Sequence, residues 1–330
     1  MEIKDLLGLS KPIEKLIDVL ARGVGAVTKP MLIRNEAEAK AYEIQCISKA
    51  VQGAPVEKLQ YKNGVIIIED KKGKSQIADL PNEKRAELRI LHEESRKQKN
   101  IESVAAGAAE LLSDCHALNN DREVEQDWIN EYFDKVKLVS SSEMQLIWSK
   151  ILAGEVQNPG TYSIRTMNVL KEMSKDEANL FSRFAEIRLD QPIKNDCFVY
   201  KDLKDDFLVE LLGMTYEKVK LLESIGLIYT DLGLTLKFGP SERPMNVAFE
   251  HGKLLVSFEC EANAKVKSLP IIGFTKVGYE LSRMVEVKEN MVLVKAMKEF
   301  MQTEGVKVKT FDILQREGNG RYRVSEEREI

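Results

Sequence analysis

Residues 140–184 constrain the fold more than any other part of this 330-residue chain. Their apolar members recur at helical spacing, and an Asn-Pro-Gly breaker at 158–160 separates the first apolar run from the second. Ser174 and Glu177 have the spacing of a capping box and predict the start of a third helix. This stretch therefore predicts three consecutive helices, with an elbow between the first two and Trp148 as a buried packing anchor.

Residues 1–190 are predicted to form an all-helical domain with one β insertion. Ser10 and Pro12 mark the start of a first helix, and a long helix is expected over 83–112 because apolar residues follow a heptad-like spacing in its second half. Between these helices, an Asn-Gly pair at 63–64 separates two runs of strand composition. It predicts a hairpin within a small β-meander at about 57–78.

The first helix has an apolar face that must be buried against another surface. Its members recur at helical spacing and are Ile13, Leu16, Ile17, Leu20, Val24 and Val27. Three alternatives remain for the surface that buries this face, namely the protein's own long helix, a second copy of the chain and a membrane surface. Side chains of both signs lie opposite this face, which favours packing on protein over binding to anionic lipid.

The sequence changes character after Pro192, where short runs of strand composition replace the long helical patterns. A helix at 215–225 runs into a strand, a turn and a second strand, which is the local order of a winged helix. A hairpin with its turn at His251 and Gly252 follows. Residues 191–330 are therefore predicted to form an α+β domain with an antiparallel sheet and a winged-helix-like unit, which makes the whole chain α+β.

Four phrases follow one another in the first half of the chain. They are Gly-Leu-Ser-Lys-Pro at 8–12, Arg-x-Gln-x-Asn-Ile-Glu-Ser at 96–103, Asp-Trp-Ile at 127–129 and, last, Ile-Trp-Ser-Lys-Ile-Leu-Ala-Gly-Glu-Val at 147–156 with Pro-Gly-Thr-Tyr-Ser-Ile-Arg-Thr at 159–166. On these phrases the chain resembles a family of uncharacterised bacterial proteins known as a domain of unknown function, which implies no established activity. The last phrase is also similar to phrases in proteins grouped with abortive-infection systems, and that similarity implies a role in phage defence.

The composition indicates no catalytic chemistry. The formal net charge of −4 gives no global basic footprint for nucleic acid, and the four cysteines are too scattered for a zinc knuckle or a disulfide framework. No phosphate-binding glycine loop, dinucleotide fingerprint or nucleophile elbow occurs, and the three histidines lie far apart in the sequence. We therefore expect no catalytic residues, no metal, no cofactor and no small-molecule substrate. The sequence shows no signal peptide and no long apolar run, so a cytoplasmic location is expected.

Candidates for a structural or interaction role are Trp128, Trp148, Glu155 and Arg165. The two tryptophans lie on apolar stripes of predicted helices. Glu155 and Arg165 flank the elbow, where they would either form a buried ion pair that fixes it or leave Arg165 to bind an anion. The ion pair is favoured because no partner base accompanies Glu155 in the sequence.

Lys218 and Lys220 are the candidates for nucleic-acid contact, because the helix at 216–222 would enter the major groove in a DNA-binding winged helix. Glu217 and Glu223 oppose their charge, and this helix has no arginine to read guanine. We therefore expect a non-enzymatic interaction protein that binds a protein partner or a second copy of itself. A nucleic-acid-binding regulator and a peripheral membrane effector stay open as alternatives.

Overall fold

The computed structural model describes residues 10–25, 58–62, 65–69, 82–113, 115, 121–191, 194, 196–201, 207–230, 234–239, 241–263, 266–302, 306–318 and 320–328. The chain divides into two compact units, Met1–Ile164 and Arg165–Ile330. The sequence also predicts a helix at 35–52 and a third meander strand at 75–77, and both segments lie outside the described residues. Helices combine with antiparallel sheets, which is the predicted α+β class.

The described part of the first unit consists of helices and a hairpin. The hairpin pairs β1 (Lys58–Lys62) with β2 (Val65–Glu69) in antiparallel register, as the Asn-Gly pair between them predicts. The helices are α1 (Lys11–Val24), α2 (Asn82–Ser113), α3 (Gln126–Val136) and α4 (Ser142–Gln157).

Helices α2 and α4 pack closely against each other. A Cβ added at Gly107 of α2 would lie 2.5 Å from Ser149 Oγ of α4, so a larger residue would force the helices apart. The same hydroxyl donates to the Val104 carbonyl oxygen at 3.0 Å. The heptad-like spacing predicted a buried stripe at Ile101, Val104, Ala108 and Leu111. The first three are buried, but Leu111 is 40% exposed and Leu112 is buried in its place.

The apolar face of α1 packs inside the first unit. Leu16, Val19 and Leu20 are buried, and a Cβ added at Gly23 would lie 2.2 Å from the Phe133 ring of α3. Burial of a large aliphatic side chain contributes roughly 1.5–3 kcal/mol. Helix α1 packs on the long helix α2 and on α3 and α4 of the same unit. Of the predicted face, Leu16 and Leu20 are buried, Ile13, Ile17 and Val24 are half-buried, and Val27 lies outside the described residues.

The second unit is built from helices around a sheet. Its helices are α5 (Ile164–Glu172), which begins at the boundary, α6 (Lys175–Ala185), α7 (Phe207–Leu212), α8 (Tyr216–Ser224), α9 (Lys276–Ser282) and α10 (Met291–Met301). Its strands are β3 (Leu189–Gln191), β4 (Asp196–Tyr200), β5 (Ile228–Tyr229), β6 (Thr235–Phe238), β7 (Met245–His251), β8 (Leu254–Cys260), β9 (Lys267–Phe274), β10 (Val306–Gly318) and β11 (Arg321–Glu327).

The sheet runs in the order β11-β10-β8-β7-β3-β4-β9-β5, and β6 pairs with a second stretch of β9. All pairings among the described strands are antiparallel. The predicted hairpin of β7 and β8 is present, but its turn lies at Gly252 and Lys253, because His251 still pairs with Leu254 as the last residue of β7. The short strand β3 joins the two halves of the sheet, since it pairs with β7 on one side and β4 on the other.

The boundary between the units comes earlier than the predicted one at 190. Phe181 and Phe184 of α6 pack on Phe274 of β9, with ring centroids 6.0 and 5.6 Å apart. The apolar stripe of α6 thus covers the sheet, and α6 belongs to the same unit as the strands.

Strands β5 and β6 do not form the hairpin that the winged-helix interpretation expects. Each pairs with β9, Ile228 lying opposite Phe274 and Thr235 opposite Pro270. Phe238 at the end of β6 is buried and stacks on Phe258 of β8 at 5.0 Å, so burial of this ring holds β6 against the sheet.

Candidate functional site

The elbow after α4 is organised by Glu155. Its carboxylate is buried and accepts from the backbone N–H groups of Gly160 and Tyr162, at 2.5 and 2.9 Å. The Trp128 indole donates to the Tyr162 carbonyl oxygen at 2.7 Å. Gly160 has φ +88°, a conformation that favours glycine. Glu155 and Trp128 therefore hold the loop by its backbone, which is a structural role.

Trp148 belongs to an aromatic cluster of the first unit that is centred on Tyr132. It is fully buried, and its ring meets Tyr132 edge-on with centroids 5.6 Å apart. Trp128 stacks on the other side of Tyr132 at 4.9 Å. The Tyr132 hydroxyl donates to the Trp148 carbonyl oxygen at 2.7 Å, and burial raises the pKa of Tyr132. Both tryptophans thus occupy core positions.

Arg165 is exposed and is the first residue of the second unit. Glu155 belongs to the first unit, where Gly160 and Tyr162 bind its carboxylate. The ion pair between Glu155 and Arg165 and the anion site at Arg165 both stay predictions.

The two candidate lysines of α8 make local bonds. Lys218 Nζ donates to the Gly213 carbonyl oxygen at 2.7 Å, beyond the end of α7. Lys220 Nζ donates to Glu223 at 2.5 Å and to Thr230 at 3.2 Å. The bonds from Lys220 and Thr230 lower the pKa of Glu223 to about 2. Contact with a phosphate would compete with these bonds.

The outer side of α8 carries apolar side chains in water. Tyr216 is 70% exposed and Leu221 is 40% exposed. All five exposed side chains of α8 lie within roughly 140° of the helix circumference at 3.6 residues per turn. They are Tyr216, Glu217, Lys220, Leu221 and Ser224, and we call this surface the α8 face.

A polar cluster lies where β3, β7, β10 and β11 meet. Hydrogen bonds join its members in two groups, Arg188 with Asp190 and His251, and Glu250 with Arg316 and Tyr322. Glu250 accepts two hydrogen bonds from the Arg316 guanidinium, at 2.9 and 2.7 Å, and one from the Tyr322 hydroxyl at 2.7 Å. Arg188 Nε donates to Asp190 at 2.9 Å.

The cluster contains two carboxylates that lie on neighbouring strands. Asp190 lies directly opposite Glu250, and like charges at such positions repel. Each carboxylate has its own arginine, Arg188 for Asp190 and Arg316 for Glu250. Burial raises the pKa of Asp190, while Arg188 opposes that shift. Burial and the bond to Glu250 raise the pKa of Tyr322. These contacts anchor the last hairpin to the sheet.

Cys197 is the buried thiol nearest this cluster. It lies 3.5 Å from the Ser282 hydroxyl, and burial raises its pKa to about 12. Because the thiolate is the nucleophile, Cys197 is a poor nucleophile at neutral pH.

Among the described residues, no group of three or more histidine, cysteine or acidic side chains is placed to hold a metal ion. The helices of the same residues include none with the length and apolar character needed to cross a membrane.

A family model described as "Protein of unknown function (DUF2806)" matches residues 84–298. The chain belongs to this family. No curated protein and no solved structure matches the chain. The range shared with the DUF2806 family includes the elbow, the α8 face and four members of the polar cluster, whereas Arg316 and Tyr322 lie beyond it.

The polar cluster of this DUF2806 protein was missed at the sequence level. Its signal is an alternation of charged and apolar residues at Arg188, Leu189 and Asp190, which indicates a strand with one polar side. Arg188 and Asp190 bond each other, but their other partners are distant in sequence: Glu250 lies 60 positions from Asp190, and His251 lies 63 positions from Arg188. No local spacing encodes that meeting.

Proposed function

We propose that this protein is a non-enzymatic interaction protein whose second unit docks a protein partner through the α8 face. The observation that carries the proposal is the exposure of Tyr216 and Leu221 on one side of a single short helix. Tyrosine is enriched among the residues that dominate binding energy in protein interfaces, and the centres of such interfaces are depleted of charge.

The charges on the α8 face support a protein partner over nucleic acid. Lys220 is paired with Glu223, and Glu217 adds a negative charge beside the apolar side chains. Lys218 is held by the Gly213 carbonyl oxygen. Phosphate contacts supply most of the affinity for nucleic acid, and this face offers few cations to make them.

A winged-helix-like arrangement is part of the proposal. Helices α7 and α8 and strand β5 follow one another in the order that this fold uses, which supports it. In that arrangement α8 takes the place of the recognition helix, and its exposed side faces the ligand. The pairing of β5 and β6 with β9 in place of a free wing favours docking on protein, because a wing that reaches DNA must project from the sheet.

The two remaining parts of the function stand on other observations. Burial of Leu16, Val19 and Leu20 within the first unit argues against a membrane-binding role for α1. A role in phage defence is supported by the resemblance of the phrase at 147–156 to abortive-infection proteins. Plaque counts on cells with and without the gene are expected to differ, and equal counts across a panel of phages would contradict that role.

Photo-crosslinking tests the docking proposal. The photoreactive residue p-benzoylphenylalanine at position 216 keeps an aromatic ring at the centre of the α8 face. We expect it to form an adduct with one protein in cells that make the full chain. The matched control places the same residue at Lys295, which is exposed on α10, and no such adduct is expected there.

A second change separates docking from chance contact. Adding Leu221→Glu to the position-216 probe is expected to abolish the adduct, because a charge replaces an apolar contact on the same face. Equal adducts from positions 216 and 295 would contradict the proposal. So would submicromolar binding of a DNA duplex at physiological salt that Lys218→Glu/Lys220→Glu removes, which would support the nucleic-acid-binding alternative.

A further inference from the structure

His251 ends β7 with its imidazole ring fully buried. Its Nδ1 lies 3.0 Å from the Arg188 carbonyl oxygen, and its Nε2 lies 2.8 Å from the Asn290 backbone nitrogen. A backbone N–H can only donate, so Nε2 carries the lone pair. The ring proton is therefore on Nδ1 and is donated to Arg188. The ring is neutral, and both of its nitrogens are in use.

The bond to Asn290 holds the start of α10. Asn290 is the N-cap of that helix, and its side chain accepts from the Leu293 N–H at 3.0 Å. Residues 285–290, in the connection between α9 and α10, are also anchored by other groups, among them the ion pairs of Lys288 with the Glu186 carboxylate at 2.9 Å and of Glu289 with Arg328 at 3.7 Å. Arg188 donates to the Val285 carbonyl oxygen at 2.8 Å, and the Lys288 N–H donates to the Glu186 carbonyl oxygen at 2.9 Å.

Of the side chains that anchor this connection, the imidazole has its ordinary titration range just below neutral pH, whereas carboxylates ordinarily titrate about two pH units lower. The carbonyl of Glu186 does not titrate, and an arginine stays charged throughout the physiological range. Protonation of His251 turns Nε2 from an acceptor into a donor. Two N–H groups would then face each other across 2.8 Å, and the bond to Asn290 would be lost.

We propose that His251 is a pH-sensitive latch that holds the connection 285–290 and the N-cap of α10 closed while its ring is neutral. Acidification protonates the ring. The charged ring leaves its buried site, and its hydrogen bond to Asn290 is lost. The connection and the first turn of α10 then open. The rest of the sheet keeps its pairings, because β7 and β8 are joined along their whole length.

The charged groups around the ring act in both directions. Glu289 and Asp190 favour the imidazolium, and Arg188 disfavours it, but burial outweighs them and lowers the pKa of His251. Glu289 itself lies 3.7 Å from Arg328. The pKa of Asp190 is raised by burial, so its titration on acidification favours the closed form and cannot cause the opening.

The sign and size of the effect follow from linkage. In the closed form the pKa of His251 is below that of the open form, for which about 6.5 is the ordinary value. The closed form is therefore fully favoured above that pH and weakens as the pH falls. If the ring stays unprotonated in the closed form, the equilibrium constant for opening is multiplied by 1 + 10^(6.5 − pH), which is about 11 at pH 5.5 and is the upper limit of the effect.

Hydrogen exchange of the full chain measures this opening. After correction for the pH dependence of intrinsic exchange, protection of residues 286–294 is expected to fall by more than twofold and by up to about tenfold between pH 7.5 and 5.5. Protection of α3 in the first unit is expected to stay constant. A fall of less than twofold at 286–294 would overturn the proposal, and so would an equal fall across the whole chain.

Two variants and one direct measurement complete the test. His251→Gln is expected to remove the pH dependence at 286–294, and His92→Gln, the matched change in α2, is expected to keep it. Should His251→Gln fail to fold, ¹⁵N spectra of the histidine-labelled wild type decide. They are expected to show the neutral ring protonated on Nδ1 at pH 7.5 and a pKa below 6.5. A proton on Nε2 at that pH would overturn the latch.

Discussion

At the scale of single residues, Trp148 is the clearest case of a core position that the sequence identifies. It is fully buried and contacts Tyr132, whose hydroxyl bonds the Trp148 carbonyl oxygen. Helical spacing alone places it on an apolar stripe, and burial of so large a side chain lowers the free energy of the folded chain. The role of Glu155 was only half predicted. Its burial follows from its position at the elbow, but its partners are backbone N–H groups that no side-chain pattern reveals.

Replacement of Trp148 by alanine should lower the free energy of unfolding of the first unit by roughly 3–5 kcal/mol, because a large buried side chain leaves a cavity. Both tryptophans of the chain lie in this unit, so the fluorescence of Trp128 during urea unfolding still reports on it in the variant. Leu146→Ala is the control on the same helix, where a side chain 53% exposed should cost less than about 0.5 kcal/mol. Equal unfolding midpoints for the two variants would rule out a core role for Trp148.

At the scale of elements, the capping signal within one helical turn was read correctly, but a strand-turn-strand pattern did not form the hairpin that it predicted. The capping box of Ser174 and Glu177 is present with both of its bonds, because the two residues lie one turn apart. Strand β6 was expected to form a hairpin with β5 but pairs with β9. That choice depends on burial of Phe238 against Phe258, which is a contact between distant parts of the chain.

Helix α9 packs closely against the backbone of Leu227 at Gly278, and one substitution tests this contact. A Cβ added at Gly278 would lie 1.8 Å from the Leu227 carbonyl oxygen, an atom that cannot move without the backbone. Gly278→Ala should therefore destabilise the second unit by about 1–3 kcal/mol or more, as measured by thermal unfolding followed by circular dichroism. Lys276→Ala, at an exposed position of the same helix, should change stability by less than about 0.5 kcal/mol. A Gly278→Ala protein as stable as the wild type would show that the contact is loose.

At the scale of the whole molecule, the boundary between the units was predicted too late in the chain. Pro192 and the change in composition after it suggested a boundary at 190, but helix α6 precedes that point, strand β3 spans it, and both belong with the sheet of the second unit. A boundary depends on which faces are covered, and the apolar stripe of α6 has the same spacing whether it covers a helix or a sheet.

Truncation tests this placement of the boundary. A fragment of residues 165–330 should unfold cooperatively, whereas one of residues 191–330 should not. The shorter fragment loses Phe181 and Phe184 from the surface of β9 and most of β3, which joins β7 to β4. Circular dichroism during urea unfolding distinguishes the two cases. Equal midpoints and equal slopes for both fragments would place the boundary at 190 after all.

Docking through the α8 face is tested most directly by affinity. Calorimetric titration of the protein captured at position 216 would compare the wild type with Tyr216→Ser/Leu221→Ser and with Lys218→Glu/Lys220→Glu. The apolar double variant should weaken binding at least about tenfold, or about 1.4 kcal/mol, while the lysine variant should bind within about threefold of the wild type. The reverse order, with binding lost in the lysine variant and kept in the apolar one, would contradict docking through this face.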